Sequence, residues 1–156
     1  MSAGNPSGTV LTIPGNLILT SGDLNIVSTS TARSLTLNGN ITANSNHITF
    51  SGANTSLTIN GSGALGTFPF PSGVQTIKNL AVSRTSGSVT FGNDLTISGT
   101  LTLTNGTVTL GGTTSVKGVT TLSSGTVLAF DGQSLSLAGD YSSSGLLSAS
   151  GSPRFL

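Results

Sequence analysis

The sequence predicts an all-β chain wound as a right-handed parallel β-helix, about seven coils of ~21 residues with short strands and no capping helix. Three observations carry this. A Gly–strand–turn phrase recurs along the whole chain, apolar and hydroxyl residues alternate within each phrase, and the apolar positions return at a near-constant interval. Alternation at every second position is the period of a strand with one buried face. Strands this short with turns this sharp suit a coil whose strands pair with their equivalents one coil away. Right-handed winding follows from strand twist and crossover chirality.

The phrases can be taken in order. GTVLTIPG (8–15) opens the series, and SLTLNG (34–39) and SLTING (56–61) repeat its strand. GSVTFGND (87–94), DLTISG (94–99), TLTLTNG (100–106) and GTVTLGG (106–112) follow almost without a gap. GTVLAFDG (125–132) and SLSLAG (134–139) continue to the far end. Gly, Asn and Asp at the corners are the residues that accept positive φ in tight bends. No stretch has the three-and-four apolar spacing of a helix. Leu35, Leu57, Leu80, Leu101 and Leu122 are 22, 23, 21 and 21 residues apart and form one expected interior ladder. Leu37, Ile59, Val82 and Leu103 form a second, and Ile48, Val74, Leu95, Val116 and Leu135 a third with more slippage.

Composition agrees and narrows function. About a third of the 156 residues are Ser or Thr, while only 6% are charged, with no Glu. Disordered chains are charge-rich and poor in β-branched residues, the reverse of this one. A net charge of +1 supplies no electrostatic footprint for nucleic acid or an anionic membrane surface. The absence of Cys excludes disulfides and thiolate metal sites. No apolar run approaches the ~20 residues of a membrane span, and MSAGNPSG (1–8) lacks the regions of a secretory signal.

One stretch departs from the phrase. GTFPFPSG (66–73) holds two prolines that cannot donate ladder hydrogen bonds, so it is expected to bulge out as a loop or to sit at a coil edge. Phe68 and Phe70 within it either offer an exposed aromatic contact or fold back over a widened coil. The closing ASGSPRFL (149–156) echoes FSGANTSL (50–57), and neither end carries a capping helix, so the chain reads as an excerpt of a longer array or as a unit that stacks end to end. Residues 1–156 are expected to form a single solenoid domain.

The run NLAVSRTSGSVTFGNDLTISGTLTLTNGTVTLGG (79–112) resembles the repetitive β-helical stretches of large secreted surface proteins of the Bacteroidetes. It is more distantly similar to autotransporter passengers and filamentous-haemagglutinin-like adhesins. The resemblance implies a right-handed β-helix, export, and a cell-surface or adhesive role. It assigns no functional residue.

Candidate chemistry is sparse. Gly61, Gly63 and Gly66 match a GxGxxG phosphate motif, but Thr67-Phe68-Pro69-Phe70-Pro71 follows where that motif needs a helix. The carboxylates Asp23, Asp94, Asp131 and Asp140 do not pair along the stack, and such residues occupy turns for backbone reasons. Arg33 and Lys78 fall in one column with Thr55 between them, a weak cationic stripe. His47, alternating with Ile48 and Phe50, should face solvent, and a lone His builds neither a metal site nor a triad. No catalytic, cofactor or metal residue is assigned, so the chain is read as no enzyme; a polysaccharide lyase or hydrolase ranks third among the readings.

A hydroxyl-lined face that contacts carbohydrate or ice ranks second. Its outward triplets are Ser34-Thr36-Asn38, Ser56-Thr58-Asn60, Asn79-Ala81-Ser83, Thr100-Thr102-Thr104 and Thr121-Ser123-Gly125, of which one is Thr throughout. The leading expectation is a non-catalytic structural or adhesive rod on an extracellular bacterial surface. Its partners would be neighbouring coils of a longer chain, a second copy end to end, or glycans, with no nucleic acid and no membrane insertion. Candidate surface contacts are Phe68, Phe70, Thr100, Thr102 and Thr104.

Overall fold

The structure, a computed structural model, describes residues 8–28, 30–43, 47–130 and 132–149. These form a parallel β-solenoid of about six turns, with no helix among them. The first coil runs through β1 (Thr9–Ile13), β2 (Leu17–Leu19) and β3 (Leu24–Val27). The second repeats it as β4 (Arg33–Leu37), β5 (Ile41–Ala43) and β6 (Ile48–Ser51). The third holds β7 (Thr55–Ser62), β8 (Gly66–Thr67) and β9 (Gln75–Ile77). In the fourth and fifth, one strand turns the corner between two faces without a break: β10 (Asn79–Phe91) is followed by β11 (Leu95–Ile97), and β12 (Leu101–Leu110) by β13 (Thr114–Val116). The sixth has β14 (Thr120–Leu122), β15 (Val127–Ala129) and β16 (Leu135–Leu137), and β17 (Tyr141–Ser143) and β18 (Leu146–Ser148) begin another.

Every pairing is parallel. One face is the ladder β1-β4-β7-β10-β12-β14-β17. A second face joins β8, the far halves of β10 and β12, β15 and β18, and a third is β9-β11-β13-β16. The short ladders β2–β5 and β3–β6 complete the first two coils. Along the first face the chain advances by 24, 22, 23, 21, 19 and 21 residues per coil. The ~21-residue spacing is therefore an average over unequal coils.

The interior ladders follow the expected residues until the short coil. Leu35, Leu57, Leu80 and Leu101 stack in register, each almost fully buried. The next rung is Thr120, not Leu122, which instead continues Leu37, Ile59, Val82 and Leu103. The coil of 19 residues slips the register by two, which preserves the inward and outward sides. Counting leucines cannot detect such a slip. The third expected ladder also divides into two. Gln75, Leu95, Thr114 and Leu135 form one column, and Ile77, Ile97, Val116 and Leu137 the other. Val74 is 64% exposed, and Ile48 pairs with Leu24.

The corners correct one assumption about glycine. Gly61 (φ 100°) and Gly106 (φ 90°) do supply positive φ. The column Gly99, Gly118 and Gly139 serves a different end. A Cβ on Gly118 would lie 2.4 Å from the carbonyl oxygen of Gly99, and one on Gly139 2.3 Å from that of Gly118. Glycine is needed there because successive coils touch backbone to backbone.

Candidate functional site

Residues 66–70 do not bulge from the rod, and the end of the segment, Ser72 and Gly73, is exposed. Gly66 and Thr67 pair with Val89 and Thr90, the Phe68 N–H donates to the Thr90 carbonyl at 2.8 Å, and the Phe70 N–H turns back onto the Phe68 carbonyl at 2.8 Å. Phe68 and Phe70 are 1% and 3% exposed, so the reading of them as surface contacts is corrected to its alternative, a widened coil filled from within. With Phe50 and Phe91 they make a quartet. Phe68 and Phe70 stand 4.5 Å apart between ring centroids, and Phe50 meets Phe70 edge-on at 5.8 Å and 75°. Aromatic pairs favour such tilted and edge-on arrangements. The prolines, unable to donate, are placed where only carbonyls are used: Pro69 accepts from the Ile48 N–H, and Pro71 from the Gln75 and Asn93 side-chain amides.

Thr100, Thr102 and Thr104 do lie on the outside, with Thr100 and Thr104 exposed and Thr102 half-buried. The two-residue slip changes their neighbours. Thr121 sits beside Thr102, so Thr12, Thr36, Thr58, Thr102 and Thr121 form one outward column, broken at Ala81. Thr104 falls at a bulge, its hydroxyl 3.4 Å from the Val82 carbonyl. Flanking amides bond along the stack: Asn60 donates to Asn38 at 2.9 Å, and Asn79 Oδ1 accepts from the Thr100 N–H at 2.9 Å.

The charged residues do not converge. Asp23 and His47 pair at 3.1 Å across one coil step, with the Asp23 side chain more than half exposed. Asp94 accepts from the Thr113 N–H at 2.7 Å, a corner role, and Asp140 is exposed. Arg33, Thr55 and Lys78 do share a column, and Lys78 donates to Asn54 Oδ1 at 3.2 Å. Gly61 lies in β7 and Gly66 in β8, with strand and turn between and after them. Asp131 lies outside the described residues. No group of three His, Cys, Asp or Glu is placed to hold a metal ion among the described residues.

The residue that sequence reasoning missed is Arg84. It is fully buried and is the largest such side chain in the interior. Its five N–H donors are all used. Nε reaches the Gly63 carbonyl at 2.9 Å, Nη1 those of Asn60 at 2.7 Å and Gly39 at 3.2 Å, and Nη2 that of Ser62 at 2.6 Å and Asn40 Oδ1 at 2.7 Å. These partners lie one and two coils away. Burial lowers its pKa from the usual arginine value, yet a guanidinium stays charged at any ordinary pH. Carbonyl dipoles alone neutralise it. The signal was available: Leu80, Val82 and Arg84 alternate, so Arg84 inherits the inward side.

Arg84 fills a corner that is longer than the one stacked on it. Between Ser83 and Ser88 the chain takes five steps, where the paired strand goes from Asn105 to Thr107 in two. The surplus forms one wall of an open trough of about 570 Å³, running along the rod from Ala64 to Gly125. The hydroxyls of Thr85, Ser86, Ser88 and Thr107 and the amide of Asn105 line it. Ser86, at φ 53°, is the one non-glycine residue with positive φ among the described residues. No protein-family model, no curated protein and no solved structure matches the chain.

Proposed function

We propose that the chain is a non-catalytic rod segment of an extracellular bacterial surface protein, one that spaces or presents an adhesive region away from the cell. The observation that carries this reading is the seven-strand parallel ladder, continuous from β1 to β17 and clamped across three coils by Arg84. Each inner strand has both edges paired, which makes a stiff shaft with few points for a protease to enter. The hydroxyl coat keeps the outside hydrated without charge. The resemblance of residues 79–112 to Bacteroidetes surface repeats supports export. Further coils of the same kind, in one chain or in a second copy, are the partners this reading names. Leu11 on the first coil belongs to the inward column of Leu35 yet is 40% exposed, and would be covered by them. Antibody labelling of intact producing cells tests the proposal. Labelling without lysis, together with a protease-resistant fragment, is expected; labelling only after lysis would sink it.

A second reading is favoured by one observation, the column Thr12, Thr36, Thr58, Thr102 and Thr121. A hydroxyl row at one rung per ~4.8 Å, interrupted only at Ala81, is a template for carbohydrate or ice. Thermal hysteresis of the purified chain, lost on Thr58→Lys, would move this reading to first place; its absence removes the ice contact.

A further inference from the structure

We propose that the trough at the Arg84 corner is a binding site for a neutral, linear glycan strand lying along the rod axis. The shape comes first. The trough crosses four successive coils, touching Ala64, Ser86, Asn105 and Gly125 in turn, so it fits a chain rather than a single compact molecule. Its lining decides the chemistry. Hydroxyls and one primary amide both donate and accept hydrogen bonds, and no charged or large apolar side chain borders it. An anionic polymer would find no cation there, and a lipid no apolar wall. The straight stretches of β10 and β12 are paired on both edges, and the unpaired backbone is confined to the corner residues 84–87 and 104–106, too short and too bent to add a peptide strand. What remains is a ligand that is extended, uncharged and covered in hydroxyls. Each sugar unit would meet one coil, so one set of contacts recurs along the strand.

Ser86 supplies an independent observation. The left-handed region is strained for a non-glycine residue, and glycine follows immediately at position 87. Glycine would hold this bend without the strain. Keeping serine places a hydroxyl at the step of the trough, where the long corner overhangs the short one. Strain retained beside a polar cavity is what a contact residue explains. Arg84 acts from behind as a positioning residue, since its side chain holds the long corner in place and touches nothing outside.

This rests on the adhesive reading for its role, while its test uses the purified chain and stands apart from where the protein is displayed. Backbone-amide NMR titrations would use cellohexaose and chitohexaose, with hexagalacturonate as the charged comparison. Saturable shifts confined to residues 85–88 and 105–107 are expected with at least one neutral hexamer. Ser86→Gly, which keeps the backbone angle, should weaken that binding by about fivefold to tenfold, the loss of one hydrogen bond. Thr85→Lys, at an exposed position, should block it while the spectrum stays folded. No saturable shift with either neutral hexamer overturns the proposal. So do shifts that follow the Thr36–Thr58–Thr102 column instead, or tighter binding of hexagalacturonate.

Discussion

Arg84 Nη2 donates to Asn40 Oδ1 at 2.7 Å across two coils, 44 positions apart in sequence. A buried cation in an apolar interior is costly unless every donor is satisfied, and here four carbonyls and this amide satisfy all five. Removing the side chain leaves the corner carbonyls without partners. Arg84→Ala should therefore lower stability by about 3 kcal/mol or more, since several carbonyls each lose a partner at about 1–3 kcal/mol. Asn40→Ala removes one acceptor and should cost about 1–3 kcal/mol. Urea denaturation followed by far-UV circular dichroism measures both; an Arg84→Ala midpoint equal to that of the parent would show that the clamp contributes nothing.

The glycine column makes a second prediction. Gly118→Ala would push a methyl group to within 2.4 Å of the Gly99 carbonyl oxygen, backbone that cannot step aside without opening the ladder. The expected loss is about 1–3 kcal/mol, as for overpacking. Gly125→Ala has open space around its Cβ but a φ of 79°, so its cost comes from the backbone alone, about 1–2 kcal/mol. The two can be told apart by adding Gly99→Ala, which should aggravate the first and add independently to the second in thermal melts.

The phenylalanine quartet distinguishes a core from a contact surface. Phe68→Ala and Phe70→Ala should each cost about 3–5 kcal/mol, as large buried aromatics do. A solvent-facing pair would cost well under 1 kcal/mol. Differential scanning calorimetry decides, and near-parent melting of either variant would restore the exposed reading of 66–73.

Much of the fold was legible because the coil repeats its own chemistry. Leu35, Leu57, Leu80 and Leu101 lie in one column as their spacing requires, and Arg33, Thr55 and Lys78 share another. The errors have physical sources. Parity along a strand survives a slip of two residues, so the short coil before Thr120 is silent in the pattern. The missing proline N–H points to a bulge or a coil edge over 66–73, while the carbonyls proline still offers let residues 68–70 pack inside. Arg84 carries a charge, which usually signals surface, whereas its alternation with Leu80 and Val82 puts it inside. The trough could not be read at all. It arises from unequal corner lengths in adjacent coils, which only the register reveals.

That register has its own test. Thr102 and Thr121 are paired neighbours on adjacent parallel strands, whereas the leucine count would put Thr100 beside Thr121. Adjacent strands are about 4.8 Å apart, inside the Cα separation a disulfide accepts, and a two-residue offset exceeds it. The chain has no Cys, so a Thr102→Cys/Thr121→Cys pair is the sole route to an intramolecular bridge. Under mild oxidation it should close nearly completely, while Thr100→Cys/Thr121→Cys stays reduced, as read by thiol titration. The same register buries the Thr120 hydroxyl without a hydrogen-bond partner. Thr120→Val keeps the volume and removes that polar atom, so it should raise stability by about 1 kcal/mol or more. A destabilised Thr120→Val together with bridging of the 100/121 pair would show that Leu122, not Thr120, is the rung above Leu101.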